Sequence, residues 1–338
     1  MNLFFVSCHS ILEFDELKLF HGMGINVFSH GAYVDPRDNS GDTKRPPLDI
    51  PFYPDLFPLA KATPKEALDP KLFEWADVVV YMGSVEWIED NWAAMKAAKN
   101  RVIWRSIGQS TPRIEQRLTA LAAQGLELVR YSPEERKLPN FAGETALCRF
   151  YKDPDEFGDW RGTTARVISI GQMVKHRNAY CGLGWYEEST NGLNRMMIGP
   201  HNDDIDTMPT ALLSYDELKD ALRENRAFFY TGTFPAPYTL GFIEAFVTGI
   251  PVVAIGPGLR NHYVGGGGVT GLYEIPSLIQ NGVNGYWSED TATLKGYVRD
   301  LLNDPALAQR IGQAGRTTAI KEFGKEAVAE AWRGVLLK

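Results

Sequence analysis

Short apolar segments alternate with amphipathic segments along the first half of this chain, and that alternation restricts the folds open to it. Leu3–Ser7 and Asp77–Met82 have the character of buried strands, whereas Ile11–His21 and Glu89–Lys99 carry apolar residues at helical spacing. Strands that are separated by helices pair into parallel sheets, which the helices cover. The pattern therefore predicts an α/β fold with a parallel sheet.

The remaining segments of this half fit the same scheme. They are the predicted strands Ile25–Phe28, Val102–Arg105 and Leu126–Arg130 and the predicted helix Ile114–Ala123. Residues 35–63 are rich in Pro, Asp and Gly, which predicts a long loop.

A polar segment that contains Pro and Gly, Lys152–Thr164, predicts a linker, and the alternation begins again after it. The predicted elements of the second half are the strands Val167–Ile170, Arg195–Ile198, Ala227–Tyr230 and Pro251–Ile255 and the helices Tyr215–Glu224, Gly241–Val247 and Thr291–Asn303. We therefore predict two doubly wound domains, residues 1–155 and 156–320, that face a central cleft. Ligands of such open sheets bind beyond the carboxyl ends of the strands.

The overall charge and the cysteines limit the partners and the compartment. The 338 residues carry a formal net charge of -7, which argues against a nucleic acid partner. The three cysteines lack metal-binding spacing, which indicates reduced thiols and a cytoplasmic protein. The N-terminus lacks the features of a signal peptide, and no stretch reaches the roughly 20 apolar residues of a transmembrane segment. We expect no contact with a membrane beyond a peripheral one.

The segment Tyr230–Ile255 combines a strand end, a loop with Gly and Pro, a helix and a second strand. The first amides of such a helix point toward the loop, and the helix dipole adds positive charge there, which favours a diphosphate. Glu244 lies about one turn inside the helix, where a carboxylate can accept hydrogen bonds from the vicinal hydroxyls of a ribose. An ordinary helix-capping role for Glu244 is the alternative.

This segment resembles the donor-binding signature of the retaining GT-B glycosyltransferases called glycosyl transferases group 1, which are family-4-like. The matching residues are Tyr238, Thr239, Leu240, Glu244, Gly249 and Pro251, together with Glu274–Tyr286, which is similar to the family's "IPELIENGVNGFL" segment. Ser169-Ile-Gly171 resembles the first strand of the family's C-terminal domain, and Arg149–Phe157 resembles its hinge. The resemblance spans residues 145–330.

The resemblance implies a GT-B fold of two Rossmann-like domains, with a terminal helix in residues 321–338 that crosses back to the N-terminal domain. It implies a hexosyltransferase-like activity that moves a sugar from a UDP- or GDP-sugar to a hydroxyl acceptor, with retention at the anomeric carbon. The acceptor would be a glycan, a lipid-linked molecule or a small molecule. No cofactor or metal would be required, because side chains and backbone donors meet the charge of the leaving group. Asp204-Ile-Asp206 reproduces the DxD metal motif of the other glycosyltransferase fold; it is interpreted as a solvated acidic loop, with a divalent metal site as the alternative.

The resemblance also implies roles for individual residues. Lys175 and Arg177, with the backbone of Tyr238, Thr239 and Leu240, would bind the diphosphate beside Gly171 and Gln172. A solvated basic turn is the alternative for the two cations. Glu274 would lie near the base or the sugar, or else be a surface residue before a proline turn.

The catalytic candidates are His9, Arg105, Lys175 and Arg177. His9 follows the first predicted strand, and Arg105 ends a later one in the stretch that continues to Gln109. A structural role is the alternative for His9, and a surface salt bridge is the alternative for Arg105.

Some residues depart from the family's pattern. Ala236 stands where the first Glu of the family's pair is expected, Gln172 replaces an Arg, and Cys8-His9-Ser10 replaces a Gly-Gly loop. Ala236 and Gln172 motivate one alternative, a non-catalytic module that binds a nucleotide sugar. A GT-B nucleotide-sugar epimerase is a second alternative, within the enzyme class. Gly265–Gly268 is predicted to be a mobile loop that closes over the sugar, or an insertion without function.

Overall fold

The computed structural model describes residues 1–38, 45–108, 110–261 and 269–337. The strands in chain order are β1 (Asn2–Ser7), β2 (Asn26–His30), β3 (Val78–Met82), β4 (Arg101–Arg105), β5 (Glu127–Arg130), β6 (Ala146–Leu147), β7 (Thr164–Ile170), β8 (Arg195–Ile198), β9 (Thr210–Ala211), β10 (Asn225–Tyr230), β11 (Val252–Ile255) and β12 (Tyr286–Ser288).

The helices are α1 (Ser10–Gly22), α2 (Phe57–Ala62), α3 (Pro70–Trp75), α4 (Val85–Ala97), α5 (Pro112–Ala122), α6 (Asn178–Cys181), α7 (Leu183–Thr190), α8 (Tyr215–Glu224), α9 (Leu240–Thr248), α10 (Pro257–Asn261), α11 (Ile275–Leu278), α12 (Thr291–Asn303), α13 (Pro305–Phe323) and α14 (Lys325–Leu336). A 3-10 helix spans Pro133–Lys137.

The chain forms two compact units. Unit 1 consists of Met1–Tyr151 and Glu326–Lys338, and unit 2 consists of Lys152–Lys325. Each unit has a parallel sheet, with strand order β2-β1-β3-β4-β5-β6 in unit 1 and β12-β11-β10-β7-β8-β9 in unit 2. The predicted α/β class with two doubly wound sheets is therefore confirmed.

In unit 1 the sheet is buried because its central strands are apolar at nearly every position. Leu3, Phe4, Phe5 and Val6 of β1 are fully buried, and β3 is buried over its whole length. Strands that are covered on both faces need such continuous apolar runs. The last helix, α14, belongs to the same core, since Trp332 packs edge to face against Phe20 with ring centroids 5.0 Å apart.

The core of unit 2 joins its sheet to α7, α12 and α13, and α9 packs closely against α13. Gly312 makes this contact possible, because a Cβ at that position would lie 2.1 Å from the carbonyl oxygen of Gly249. The close approach fixes α9 and therefore the position of its N-terminus.

Packing orders parts of two segments that are predicted to be loops. The proposed loop at residues 35–63 contains α2, where Phe57 packs against Phe52 with ring centroids 5.5 Å apart. The proposed linker Lys152–Thr164 is fixed on unit 2, because side chains satisfy its carbonyl groups. Arg223 donates to the carbonyl oxygens of Glu156 and Gly158, and Arg316 donates to that of Pro154.

Within the described ranges, no helix combines the length and the hydropathy needed to cross a bilayer. Gln109 and the predicted mobile loop Gly265–Gly268 lie outside the described residues.

Candidate functional site

The strand order of unit 2 changes direction between β7 and β10. From β7 the chain proceeds through β8 and β9 on one side, and it returns to β10 on the other side. The loops that leave two such neighbouring strands diverge, and the crevice between them is the usual ligand site of an open parallel sheet. The loop after β7 (residues 171–177) and the loop after β10 (residues 231–239) therefore form the candidate site.

The two loops are joined by hydrogen bonds through α6. The Thr231 hydroxyl donates to the carbonyl oxygen of Cys181 over 2.5 Å, and the Phe234 amide donates to that of Tyr180 over 2.8 Å. The start of α9 also lies against the end of β7, because a Cβ at Gly241 would be 3.6 Å from the Cβ of Ile170. The structure thus brings Gly171, Gln172, Lys175 and Arg177 to the same edge of the sheet as Tyr238, Thr239 and Leu240.

A buried amide shapes the loop after β7. Asn202, which is 1% exposed, donates through Nδ2 to the carbonyl oxygens of Gly171 over 2.7 Å and of Gly199 over 3.0 Å. Its Oδ1 accepts from the Val174 amide over 3.0 Å. Gly199 has a φ of +132°, and a Cβ there would lie 2.1 Å from the Gly171 oxygen. This glycine therefore permits the close crossing of the two backbone segments.

The cations of this loop have partners in the chain. Lys175 is exposed and donates to the carbonyl oxygen of Asp204, while His176 Nε2 lies 3.1 Å from Asp204 Oδ2. Arg177 is half-buried, and its Nη1 donates to the carbonyl oxygen of Gln172 over 3.3 Å. These contacts hold the side chains of Lys175, His176 and Arg177 close to the crevice.

The N-terminus of α9 supplies the backbone donors. Thr239 is the N-cap residue with an extended backbone, and its side chain makes no capping hydrogen bond among the described residues. The first amides of a helix have no acceptor within the helix. Tyr238 anchors this end of the helix, since it is 1% exposed and packs against Phe323 with ring centroids 5.3 Å apart. The Glu274 amide donates to the carbonyl oxygen of Pro237 over 3.1 Å, which places buried Glu274 beside the same loop.

Glu244 is buried on the first half of α9 and forms an ion pair. Its Oε1 lies 2.9 Å from Nζ of Lys152, which is fully buried. The carboxylate therefore sits in an enclosed position with a cation beside it. Lys152 falls in the segment whose composition predicts a linker, and composition alone gives no signal for a contact across so many residues of the chain.

A further cation, Arg260, is missed by the sequence reasoning because it lies in a loop without a recognisable pattern. It follows β11 on α10, is buried, and stacks over Phe234 and Tyr273 with its guanidinium carbon 5.1 and 5.7 Å from the ring centroids. Burial raises the pKa of the Cys181 thiol, and the charges of Arg177 and Arg260 oppose that rise. The charges of Arg177 and Arg260 therefore both influence the thiol of Cys181.

The other two candidates, His9 and Arg105, belong to unit 1. His9 is the N-cap of α1, and its Nδ1 accepts from the Leu12 amide over 3.3 Å, which leaves Nε2 as the protonated nitrogen of a neutral ring. Arg105 is fully buried, and its Nε donates to Glu16 Oε1 over 2.9 Å. This enclosed ion pair favours a structural role for Arg105, whereas half-buried His9 remains a candidate for contact with a ligand.

Two Rossmann-like parallel sheets of this kind, with helices on their faces, define the GT-B fold of glycosyltransferases. Solved structures share this fold, and some of them match the chain over its whole length. No family model and no curated protein sequence matches the chain.

The Anabaena protein HepE in complex with UDP-glucose has a TM-score of 0.67 at 12% identity, with 100% of this chain and 99% of that chain covered. A glycosyltransferase of Rickettsia africae has a TM-score of 0.70 at 12% identity, with 99% and 97% covered. A variant of Staphylococcus aureus TarM in complex with fondaparinux, α-GlcNAc-glycerol and UDP has a TM-score of 0.54 at 16% identity, with 75% and 54% covered. These likenesses establish the GT-B fold.

Proposed function

We propose that this chain is a glycosyltransferase that moves a sugar from a UDP- or GDP-sugar to a hydroxyl acceptor. The observation that carries the proposal is that the N-terminus of α9, where Thr239 makes no side-chain cap, lies at the direction change of the unit 2 sheet, with the buried Glu244 on the same helix. Amides at a helix N-terminus bind a diphosphate, and a carboxylate binds a ribose diol. The UDP-glucose bound to the similarly folded HepE supports this class of donor.

In this proposal, unit 2 holds the donor. Arg177 and Lys175 exchange their present carbonyl contacts for the diphosphate, beside Gly171 and Gln172, and the amides that follow Tyr238 complete the anion site. Glu274 contributes near the base or the sugar. His9 in unit 1 contributes on the acceptor side, and the acceptor is a glycan, a lipid-linked molecule or a small molecule.

The leaving diphosphate gains negative charge as the bond to the sugar breaks. Fixed amides and guanidinium groups that already point toward that charge stabilise the transition state without reorganisation. We therefore propose transfer without a required metal, and, from the resemblance of the donor segment to retaining enzymes, retention at the anomeric carbon. Transfer that continues in excess EDTA and a product with the donor's anomeric configuration are the expected results.

A specific observation favours one second candidate, a non-catalytic module that binds a nucleotide sugar. The loop after β10 carries Ala236 where the family's first Glu is expected, and residues 231–239 contain no acidic side chain. Such a module would bind UDP- or GDP-sugars tightly, yet neither hydrolyse nor transfer the sugar across a broad panel of acceptors. Conversion of one nucleotide sugar to its epimer, with no acceptor present, would instead indicate the epimerase.

The first test is a nucleotide titration by calorimetry with UDP, GDP and ADP. We expect Glu244→Gln to weaken binding of the preferred nucleotide by roughly tenfold or more, which is about 1.4 kcal/mol, because hydrogen bonds to a charged acceptor are lost. Glu217→Gln is the matched control, since Glu217 is exposed in the capping box of α8 and Gln serves that motif equally well. Equal affinities for the wild-type protein and Glu244→Gln would contradict the assignment of the ribose site.

A further inference from the structure

Lys152 and Glu244 form an ion pair that none of the sequence motifs indicates. The Lys152 side chain is 0% exposed and that of Glu244 is 4% exposed, with Nζ 2.9 Å from Oε1. The backbone of Lys152 is fixed as well, because its amide donates to the carbonyl oxygen of Phe323 over 3.0 Å. Its ammonium group also lies 5.4 Å from the ring centroid of Phe157. The cation therefore has little freedom to leave the carboxylate.

Burying two charges is costly, and a pair of this kind often stabilises a protein no better than apolar residues of the same shape. We therefore look for the purpose of the pair in what the cation does to the carboxylate. A buried carboxyl group without a cation beside it tends to hold its proton, because burial disfavours the charged form. A protonated Glu244 would offer a donor where a diol needs acceptors.

We propose that Lys152 is the positioning residue of the donor site, which holds Glu244 ionised and oriented so that it accepts hydrogen bonds from the 2′- and 3′-hydroxyls of the nucleotide. The inference rests on the proposed function. A carboxylate has about four acceptor positions, which is more than one ion pair with a lysine uses. The consequence is selectivity for nucleotides with an intact ribose diol, and that selectivity depends on a residue that touches no ligand atom.

The test compares UDP with 2′,3′-dideoxy-UDP, or the corresponding guanine nucleotides if the wild-type protein prefers GDP. We expect Lys152→Met to weaken UDP binding by roughly tenfold while the affinity for the dideoxy nucleotide stays unchanged. Lys152→Arg should restore most of the preference for UDP, because a guanidinium can pair with the same carboxylate. Lys321→Met is the control, since Lys321 is exposed on α13 two residues before Phe323.

The double variant Lys152→Met/Glu244→Gln protects the test against a folding defect, because it removes both buried charges at once. It should bind UDP no more weakly than Glu244→Gln alone, since Lys152 acts through Glu244. Thermal melts of every variant separate a loss of fold from a loss of selectivity.

The outcomes distinguish this inference from the proposal it rests on. Wild-type protein that binds neither UDP nor GDP overturns both. Wild-type protein that binds UDP and dideoxy-UDP equally overturns the ribose role of Glu244 and with it that of Lys152. The role of Lys152 alone is overturned by either of two results. In one, Lys152→Met keeps the preference for UDP over dideoxy-UDP; in the other, its affinity for both nucleotides falls by the same factor.

Discussion

The three cysteine thiols differ in how closely the protein packs around them, and their reactivity should follow that difference. Burial raises the pKa of Cys148 to about 12, with Arg105 opposing the rise, and burial also raises the pKa of Cys181. Cys8 is exposed as a residue, although the packing around its thiol raises its pKa despite the nearby charge of Lys65. Only the thiolate reacts with alkylating agents.

We predict that iodoacetamide modifies native protein at Cys8 alone. The rate should rise roughly tenfold per pH unit between about pH 7 and pH 8, because the thiolate fraction grows in that proportion below the pKa. Mass spectrometry of tryptic peptides measures the modification, and protein in urea should react at all three positions. Modification of native Cys148 as fast as Cys8 would show that the packing around Cys148 is looser than described.

Single residues of the candidate site were predictable where the signal is local. The segment from Tyr238 to Glu244 could be recognised because the loop, the helix start and the carboxylate follow one another in the chain. Lys152 and Arg260 could not, because each reaches the site from another part of the sequence. Arg105 is the opposite case. Its position at the end of a strand suggests contact with a ligand, but its side chain is buried in an ion pair with Glu16.

At the scale of elements, the conformation of the loop after β7 depends on the side-chain amide of Asn202. Asn202→Ala should lower the free energy of unfolding by about 1–3 kcal/mol, because buried carbonyl oxygens and an amide lose their partners. It should also weaken binding of UDP or GDP, since the loop carries Lys175 and Arg177. Chemical denaturation and calorimetry measure the two effects.

Asn194→Ala is the control for that experiment. Asn194 is an exposed asparagine of the same unit, and its side-chain amide donates to the carbonyl oxygen of Ala165 over 3.1 Å. Should the two variants lose equal stability and equal affinity, the hydrogen bonds of Asn202 would not be what shapes the loop.

Element boundaries were predicted well where capping residues mark them. Helix Tyr215–Glu224 begins after Ser214 and helix Thr291–Asn303 after Asp290, and in both helices the side chain caps the first turn. Helix α13 is not predicted although Asp304 caps its first turn, because glycines interrupt its apolar pattern. Gly312 and Gly315 are present because backbone oxygens of Gly249 and Asn284 approach them, which is a tertiary requirement. Helix α2 is too short for periodicity to reveal it.

At the scale of the molecule, the last helix completes the core of the first unit. Trp332 is fully buried against Phe20, and Arg101 donates to the carbonyl oxygens of Val335 and Leu336. We predict that Trp332→Ala destabilises unit 1 by about 3–5 kcal/mol, because a large cavity remains. Hydrogen exchange of peptides from β1 and β3 measures the effect. Arg333→Ala, on the exposed face of α14, should change little, and equal losses would contradict the packing.

The whole-molecule class was the most predictable property, because an alternation of strands and helices repeated twice admits few arrangements. The domain limits were harder to set. Residues 152–155 were assigned to the first domain, yet the structure groups them with unit 2, since Lys152 and Pro154 make their hydrogen bonds there. Flexible linkers and segments that arginine side chains fix to a domain can both be polar, so composition does not distinguish between them.

The chain passes into unit 2 and out of it at neighbouring points, with the amide of Lys152 bonded to the carbonyl oxygen of Phe323 over 3.0 Å. Unit 2 is thus a continuous insert whose ends meet, while unit 1 is assembled from both termini of the polypeptide. Inserts with adjacent ends are the ones that proteins tolerate and exchange most readily. A single recombination cassette that spans residues 152–325 would therefore exchange the whole of unit 2, and with it the donor site that we propose.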